Sequence, residues 1–136
     1  MYEVFEHTAD LGLRVRADNL NELFADAGRG LFAIIAGDLS GVAARQAAQV
    51  ELAGEELDYL LFDWLNELLY LFESRRLLLV QFALDVTEQG LRATVAGEPW
   101  DPQQRRLEHE VKAITYHGLR VEQQASGWLA ELILDI

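Results

Sequence analysis

The chain has 136 residues, which suits one domain with a substantial core and is too short for two well-packed ones. It contains no cysteine, so disulfides, thiolate nucleophiles and zinc–sulfur sites are excluded. Aspartate and glutamate number 23 against 11 lysines and arginines, and the resulting formal charge of −12 argues against unaided binding to nucleic-acid phosphates.

The first part of the chain predicts two strands, a helix and a third strand. Residues 2–7 form a short strand and, after a turn, residues 11–18 alternate apolar and polar side chains as a half-buried strand does. A helix is predicted to begin at the capping residue Asn19 and to end at Gly37. Another strand follows at about residues 45–52.

The second helix is predicted between Glu55 and Glu73, where leucines, Trp64 and Phe72 form a broad apolar stripe. Strand-like segments follow it without an intervening helix, at residues 77–87, 91–97, 111–117, 119–124 and 128–135. Two amphipathic helices packed on about eight strands predict a single α+β domain over residues 1–136, with largely antiparallel sheet.

No segment predicts export, membrane insertion or a conventional catalytic apparatus. The N-terminal residues lack a basic start and an apolar run, and acidic side chains interrupt the apolar residues 57–72. We therefore expect a cytoplasmic protein without membrane contact. Phosphate-binding glycine loops, a serine nucleophile elbow and the HExxH spacing are all missing, so we expect no catalytic residue.

Acidic residues near both ends of the chain predict a cation site. In the last strand, Asp135 continues a row whose neighbours Leu129 and Ile133 are apolar, and the carboxylate of Ile136 follows it. An unpaired carboxylate in such a position is costly if it is buried. If the first turn brings Asp10 close, the converging oxygens favour Ca²⁺, with Mg²⁺ or Mn²⁺ as alternatives. A solvated, frayed strand end is the competing interpretation.

Five segments, in order along the chain, resemble the archease family: EHTAD at Glu6–Asp10, the leucine-rich run Leu60–Phe72, Gly97–Pro99, EVKAITYHGL at Glu110–Leu119 and the final Leu134–Ile136. The resemblance spans the whole chain. It implies an accessory protein that promotes guanylylation of an RtcB-type RNA ligase from GTP and allows its repeated turnover. Such a protein acts in tRNA splicing and RNA repair without ligating RNA itself.

The resemblance also assigns residues to the site. It implies metal-binding acids at Asp10 and Asp135, with Ile136 completing the set. Asp38, after the first helix, resembles a further family acid that contacts a metal or a partner. Lys112 matches the lysine of the family's VKA segment and could reach a nucleotide phosphate or a partner carboxylate.

Two histidine positions leave alternatives open. His7 either contacts a ligand or partner, or forms a hydrogen bond with the turn at Thr8–Asp10. Arg105 stands where the family often has a histidine, and His109 where it usually has a threonine, so a role of that histidine in relatives does not carry over directly. His117 is interpreted as structural.

Three functions from different classes follow from these observations. The first is the ligase activator, with the ligase as partner and no nucleic-acid binding by the chain alone. The alternative is a chaperone-like binding module for RNA-modifying enzymes such as tRNA methyltransferases. A hydrolase acting through the metal is disfavoured, because no general base or nucleophile with suitable spacing is present.

Overall fold

Eight strands and two helices make up the α+β fold in a computed structural model that describes residues 1–136. Along the chain the elements are β1 (Tyr2–His7), β2 (Asp10–Ala17), α1 (Leu20–Ala36), β3 (Gln46–Ala53), α2 (Leu57–Arg75), β4 (Leu77–Thr87), β5 (Gly90–Pro99), β6 (Ala113–Ile114), β7 (Arg120–Gln124) and β8 (Gly127–Asp135). None of the helices combines the length and the apolar character needed to cross a membrane.

The strands form two antiparallel sheets. The first has the order β1-β2-β8, and the short strands β6 and β7 both pair with the remaining edge of β8. The second sheet has the order β3-β5-β4. In the first sheet, strands from opposite ends of the chain are direct neighbours, with Leu11 paired to Leu134 and Ala17 to Trp128.

Local chemistry sets both ends of α1 where the sequence predicts them. The side chain of Asn19 accepts a hydrogen bond from the N–H of Glu22 at 2.9 Å, which satisfies one of the free donors of the first turn. At the other end Gly37 has a φ of 71° and donates its N–H to the carbonyl of Ala33. A positive φ favours glycine, so the helix ends there.

Two glycines let α1 approach both sheets closely. A Cβ atom at Gly28 would lie 2.8 Å from the Phe82 ring of the second sheet, and one at Gly30 would overlap Leu13 of the first sheet. A larger residue at either position would keep the helix from packing this closely. Because α1 touches both sheets, it holds β2 and its polar end in a fixed place relative to the rest of the domain.

The helices and sheets share one hydrophobic core of 33 buried residues, as a single domain requires. Trp64 on α2 is fully buried, and its indole Nε1–H donates to the carbonyl of Phe24 at 2.9 Å. The stripe predicted for α2 is thus core packing. No polar or charged residue is fully buried, so the polar chemistry of the molecule lies at its surface.

The predicted strand at residues 111–117 is mostly irregular, and only Ala113–Ile114 form a strand. The N–H groups of Lys112 and Thr115 still donate to the carbonyls of Asp135 and Ile133. The pairing stops because β7 occupies the same edge of β8 further along, where Arg120 pairs with Glu131. β6 and β7 therefore pair with different parts of the same edge of β8.

Candidate functional site

Three residues from adjacent strands come together at one end of the first sheet. His7 on β1 pairs with Asp10 on β2. The β2–β8 register, in which Leu11 lies opposite Leu134, places Asp10 opposite Asp135 at its next position. Residues directly opposite in antiparallel strands share one face and have Cβ atoms about 4.5–5.5 Å apart. We call His7, Asp10 and Asp135 the acidic row.

Strand alternation puts the acidic row on the face of the sheet that points away from the core. Leu13 and Leu132 are fully buried on the inner face, so residues an odd number of positions from them along each strand face outward. On that outer face Phe5 covers Gly12, where a Cβ atom would overlap the phenyl ring. The row is therefore bounded by an aromatic ring on one side and by the exposed turn after His7 on the other.

The end of β8 is held on both sides. Asp135 lies between β2 and Ala113 of β6, and its main-chain carbonyl accepts a hydrogen bond from the N–H of Lys112 at 2.8 Å. Ile136 is half-buried and packs against the hydrophobic core. Pairing on both sides and partial burial thus disfavour the interpretation of a frayed, solvated strand end.

The side chains of the acidic row have no polar partner within the protein. Asp10 and Asp135 are half-buried, and neither carboxylate takes part in an ion pair. Nδ1 of His7 is buried without a hydrogen-bond partner, so the expected bond to the Thr8–Asp10 turn is absent. An unsatisfied buried polar atom costs about 1–3 kcal/mol. The His7 ring lies 5.8 Å from the ring of His117.

The acidic row contains oxygen ligands of the kind that bind cations, but its side chains do not form a metal site. No group of three or more histidine, aspartate or glutamate side chains lies close enough together to hold a metal ion. Two adjacent carboxylates are what the side chains offer, since Nδ1 of His7 is buried, and main-chain oxygens, water or a partner would complete the set. Carboxylate and carbonyl oxygens suit Ca²⁺ and Mg²⁺, whereas imidazole ligation favours transition metals.

Comparison with protein families shows which family the chain belongs to. The model of the Archease protein family (MTH1598/TM1083) matches residues 2–136, which include every residue of the acidic row. The chain belongs to the archease family. Archeases are accessory proteins of RNA processing.

Individual archeases match the chain over almost its whole length. It is 36% identical to protein archease of Methanosarcina acetivorans, covering 99% of this chain and 95% of the relative. It is 38% identical to protein archease of Pyrococcus abyssi, covering 99% and 98%. The solution structure of Methanobacterium thermoautotrophicum protein 1598 matches with a TM-score of 0.83 and 31% identity, covering 99% of this chain and 98% of that one.

Asp38, the further acid suggested by the archease resemblance, makes only local contacts. Its carboxylate accepts hydrogen bonds from the hydroxyl and the N–H of Ser40, the latter at 2.9 Å. These bonds, together with the charge of Arg105, hold the pKa of Asp38 below its ordinary value. Arg105 donates to the main-chain carbonyls of Asp38 and Ser40. None of these hydrogen bonds joins Asp38 to the acidic row.

Lys112 borders the acidic row through its backbone, while its side chain is exposed and forms no ion pair. It also lines a cleft of about 620 Å³ that contains Phe72, Arg76 and Trp100. The Arg76 guanidinium lies over the Phe72 ring at 5.4 Å and over the Trp100 ring at 5.9 Å. The charge of Lys112 is therefore free to meet a group from outside the chain.

Sequence reasoning missed two features beside the acidic row. The His117 ring is the aromatic neighbour of His7. The residue before it, Tyr116, is exposed and its ring meets that of exposed Tyr59 edge to face. The loop that carries His117 reaches the row because the preceding strand β6 pairs with β8, which no local pattern reveals. For Tyr59 a signal was available, since a large aromatic residue outside the apolar stripe of α2 is unusual on a solvated helix face.

Proposed function

We propose that this chain activates an RtcB-type RNA ligase by promoting its guanylylation from GTP and its repeated turnover, and that it does not join RNA itself. One observation carries the proposal. In the acidic row, two half-buried carboxylates from opposite ends of the chain lie side by side without a counter-ion. Membership in an accessory family of RNA processing supports the class of partner.

We assign a divalent cation to Asp10, Asp135 and a main-chain oxygen of Ile136, with Ca²⁺ as the first candidate and Mg²⁺ or Mn²⁺ as alternatives. Two adjacent negative charges repel each other, and a bound cation converts that repulsion into attraction. When bound, such an ion supplies positive charge that orders phosphate or carboxylate oxygens. His7 is the neighbouring group that could add a ligand or contact the partner.

The incomplete ligand set suits an interface better than a closed structural site. Because the acidic row supplies few ligands, coordination positions would remain for groups of the ligase or of its nucleotide. Lys112 carries an unpaired positive charge in the segment that borders the end of β8, which suits a phosphate or a partner carboxylate. Small changes in the position of reacting groups alter rates strongly, so a docked activator need not catalyse any step itself.

The proposal is tested by measuring guanylylation of the cognate ligase from labelled GTP, together with multiple-turnover RNA ligation. We compare the wild-type chain with Asp10→Asn and Asp135→Asn, which keep the shape of each side chain but remove its charge. Each variant is expected to lose at least about tenfold of the stimulation, equivalent to about 1.4 kcal/mol of activation free energy. A chelator should abolish stimulation by the wild type to a similar extent.

The matched control is Asp85→Asn, which removes an exposed carboxylate from β4 of the second sheet and should leave stimulation unchanged. Full stimulation by both folded variants of the acidic row would refute the proposal. The chaperone-like alternative predicts that the chain keeps a partner such as a tRNA methyltransferase soluble, with no dependence on Asp135 or on chelators.

A further inference from the structure

Two exposed tyrosines and an aspartate form a small notch at the surface. Tyr59 at the start of α2 and Tyr116 in the loop before β7 are 53% and 59% exposed, and their rings meet edge to face with centroids 5.9 Å apart. Together with Asp58 and Leu119 they line a depression of about 370 Å³, which we call the tyrosine notch. Large exposed aromatic side chains that cluster in this way mark interaction surfaces.

The tyrosine notch is held in shape although it is exposed. Phe62 lies one turn after Tyr59 on the same face of α2, and the Tyr116 ring stacks on Phe62 with centroids 4.0 Å apart and planes 14° from parallel. Stacking on a half-buried ring restricts the motion of Tyr116 before any ligand arrives. A preordered site loses less conformational entropy on binding.

The chemistry of the tyrosine notch selects a planar cation. Asp58 is half-buried and has no ion-pair partner within the chain. A guanidinium group stacks on tyrosine rings and donates two parallel hydrogen bonds to a carboxylate, which an ammonium group cannot do. The helix N-terminus carries partial positive charge, but Glu55, Glu56 and Asp58 oppose it with three carboxylates.

We infer that the tyrosine notch binds an arginine side chain on a basic surface of the partner protein. The net charge of −12 attracts such a surface and disfavours an anionic ligand in the notch. The segment that carries Tyr116 also carries the next residue, His117, whose ring lies 5.8 Å from that of His7. The identity of that partner rests on the proposed function.

The chemical class of the ligand is tested on the full isolated chain by NMR. Backbone and aromatic signals are followed during titration with N-acetyl-arginine amide and, in parallel, with the citrulline and lysine analogues and with inorganic phosphate. The expected result is a shift confined to Tyr59, Tyr116 and their neighbours that is largest for arginine and absent for neutral citrulline. Equal shifts with citrulline, a response to phosphate, or shifts elsewhere on the surface would overturn the inference.

The docking role is tested by the affinity of the chain for the cognate ligase. Asp58→Asn and Tyr59→Leu are each expected to raise Kd about tenfold. The matched controls on the same helix are Asp63→Asn and Tyr70→Leu, which remove an exposed carboxylate and a 62% exposed ring away from the notch and should leave Kd unchanged. Thermal unfolding of each variant verifies that it is folded.

The two proposals fail in different ways. At saturating concentration the Asp58→Asn variant is expected to stimulate guanylylation fully, because the notch supplies affinity, whereas Asp135→Asn is expected to bind the ligase and stimulate poorly. If neither variant loses stimulation, the role of the acidic row is refuted. The notch is then judged by arginine binding. Unchanged Kd in both notch variants would overturn the docking role even if the acidic row behaves as proposed.

Discussion

At the scale of single residues, each of the three side chains of the acidic row has an interaction that destabilises the folded state. Asp10 and Asp135 face each other across two strands without a counter-ion, and like charges in that position destabilise an antiparallel pair by about 0.2–1 kcal/mol. Nδ1 of His7 adds a buried atom without a hydrogen-bond partner. Natural proteins keep repelling charges and unsatisfied polar atoms mainly at functional sites. A bound cation or a docked partner would remove the unfavourable energy here.

Removing one of the two charges should therefore raise stability relative to the wild type when a chelator is present and lower it when Ca²⁺ is present. In the presence of a chelator, Asp135→Asn is expected to raise the free energy of unfolding by about 0.5 kcal/mol, because the repulsion from Asp10 is lost. With Ca²⁺ at about one hundred times its Kd, the wild type gains about 2.7 kcal/mol and the variant gains little. Urea unfolding of both proteins in both solutions measures the four values.

The control for this stability experiment is Asp85→Asn, whose response to Ca²⁺ should equal that of the wild type. Equal stabilisation of the wild type and Asp135→Asn by Ca²⁺, Mg²⁺ and Mn²⁺ would contradict the assignment of the cation to the acidic row. It would leave the activator role to be explained by direct protein contacts alone.

The sequence identifies the acids of the row more readily than their neighbours. Asp135 is recognisable because strand alternation puts it on one face with the apolar Leu129 and Ile133. His117 is not, because its position depends on how β6 and β7 divide the edge of β8. Residue patterns report the face of a strand, whereas pairing between distant strands depends on the whole fold.

At the scale of elements, a ladder of charges crosses the outer face of the first sheet beside the row. Arg14 donates to Glu3 at 3.0 Å and to Glu131 at 2.7 Å, and Arg120 lies 3.5 Å from the same Glu131 carboxylate. These four residues occupy paired positions on β1, β2, β8 and β7. The ladder favours the register that also aligns Asp10 with Asp135, because a slip by one residue would break its ion pairs.

The ladder makes stability depend on pH through Glu131. Burial raises the pKa of the Glu131 carboxyl, but the hydrogen bond and charge of Arg14 and the charge of Arg120 lower it by more, so the pKa lies below its ordinary value. The folded state thus favours the ionised carboxyl. The stabilisation is complete above the pKa of the unfolded chain, about 4.3, and is lost as the pH falls through the lower pKa of the folded state.

Glu131→Gln should accordingly lower the free energy of unfolding by about 1 kcal/mol at neutral pH, and the difference from wild type should shrink as the pH falls below about 4.3 and through the lower pKa of the folded state. Urea unfolding across that range measures it. Glu67→Gln, which changes an exposed carboxyl on α2 without an ion pair, should run parallel to the wild type throughout. A constant difference between Glu131→Gln and wild type at every pH would contradict the linkage.

Most element boundaries follow from short-range chemistry and could be predicted for that reason. The cap at Asn19, the glycine stop at Gly37 and the period of the α2 stripe all act within a few residues. The segment at residues 111–117 could not be predicted, because its apolar alternation fits a strand but its partner edge is shared with β7. Competition for a strand edge has no local signature.

At the scale of the whole molecule, the β2–β8 pairing joins the two ends of the chain and creates the acidic row. The sequence predicts an α+β domain with the right numbers of strands and helices, but not which strands are neighbours. Contacts between residues so far apart in sequence are entropically expensive to form. The core that α1 shares with both sheets provides the burial that holds this pairing in place.

The strong negative charge of the whole molecule should govern how fast it meets a basic partner. Summed charge steers diffusional encounter, and salt screens that attraction within about 10 Å at 0.1 M. The association rate constant with the cognate ligase is expected to fall at least about tenfold between about 0.05 and 0.5 M NaCl, while the dissociation rate constant changes far less. Asp85→Lys, which alters total charge away from the acidic row, should slow association slightly without affecting dissociation. An association rate constant that does not depend on salt would contradict electrostatic steering. Recognition would then rest on the short-range contacts of the acidic row and the tyrosine notch alone.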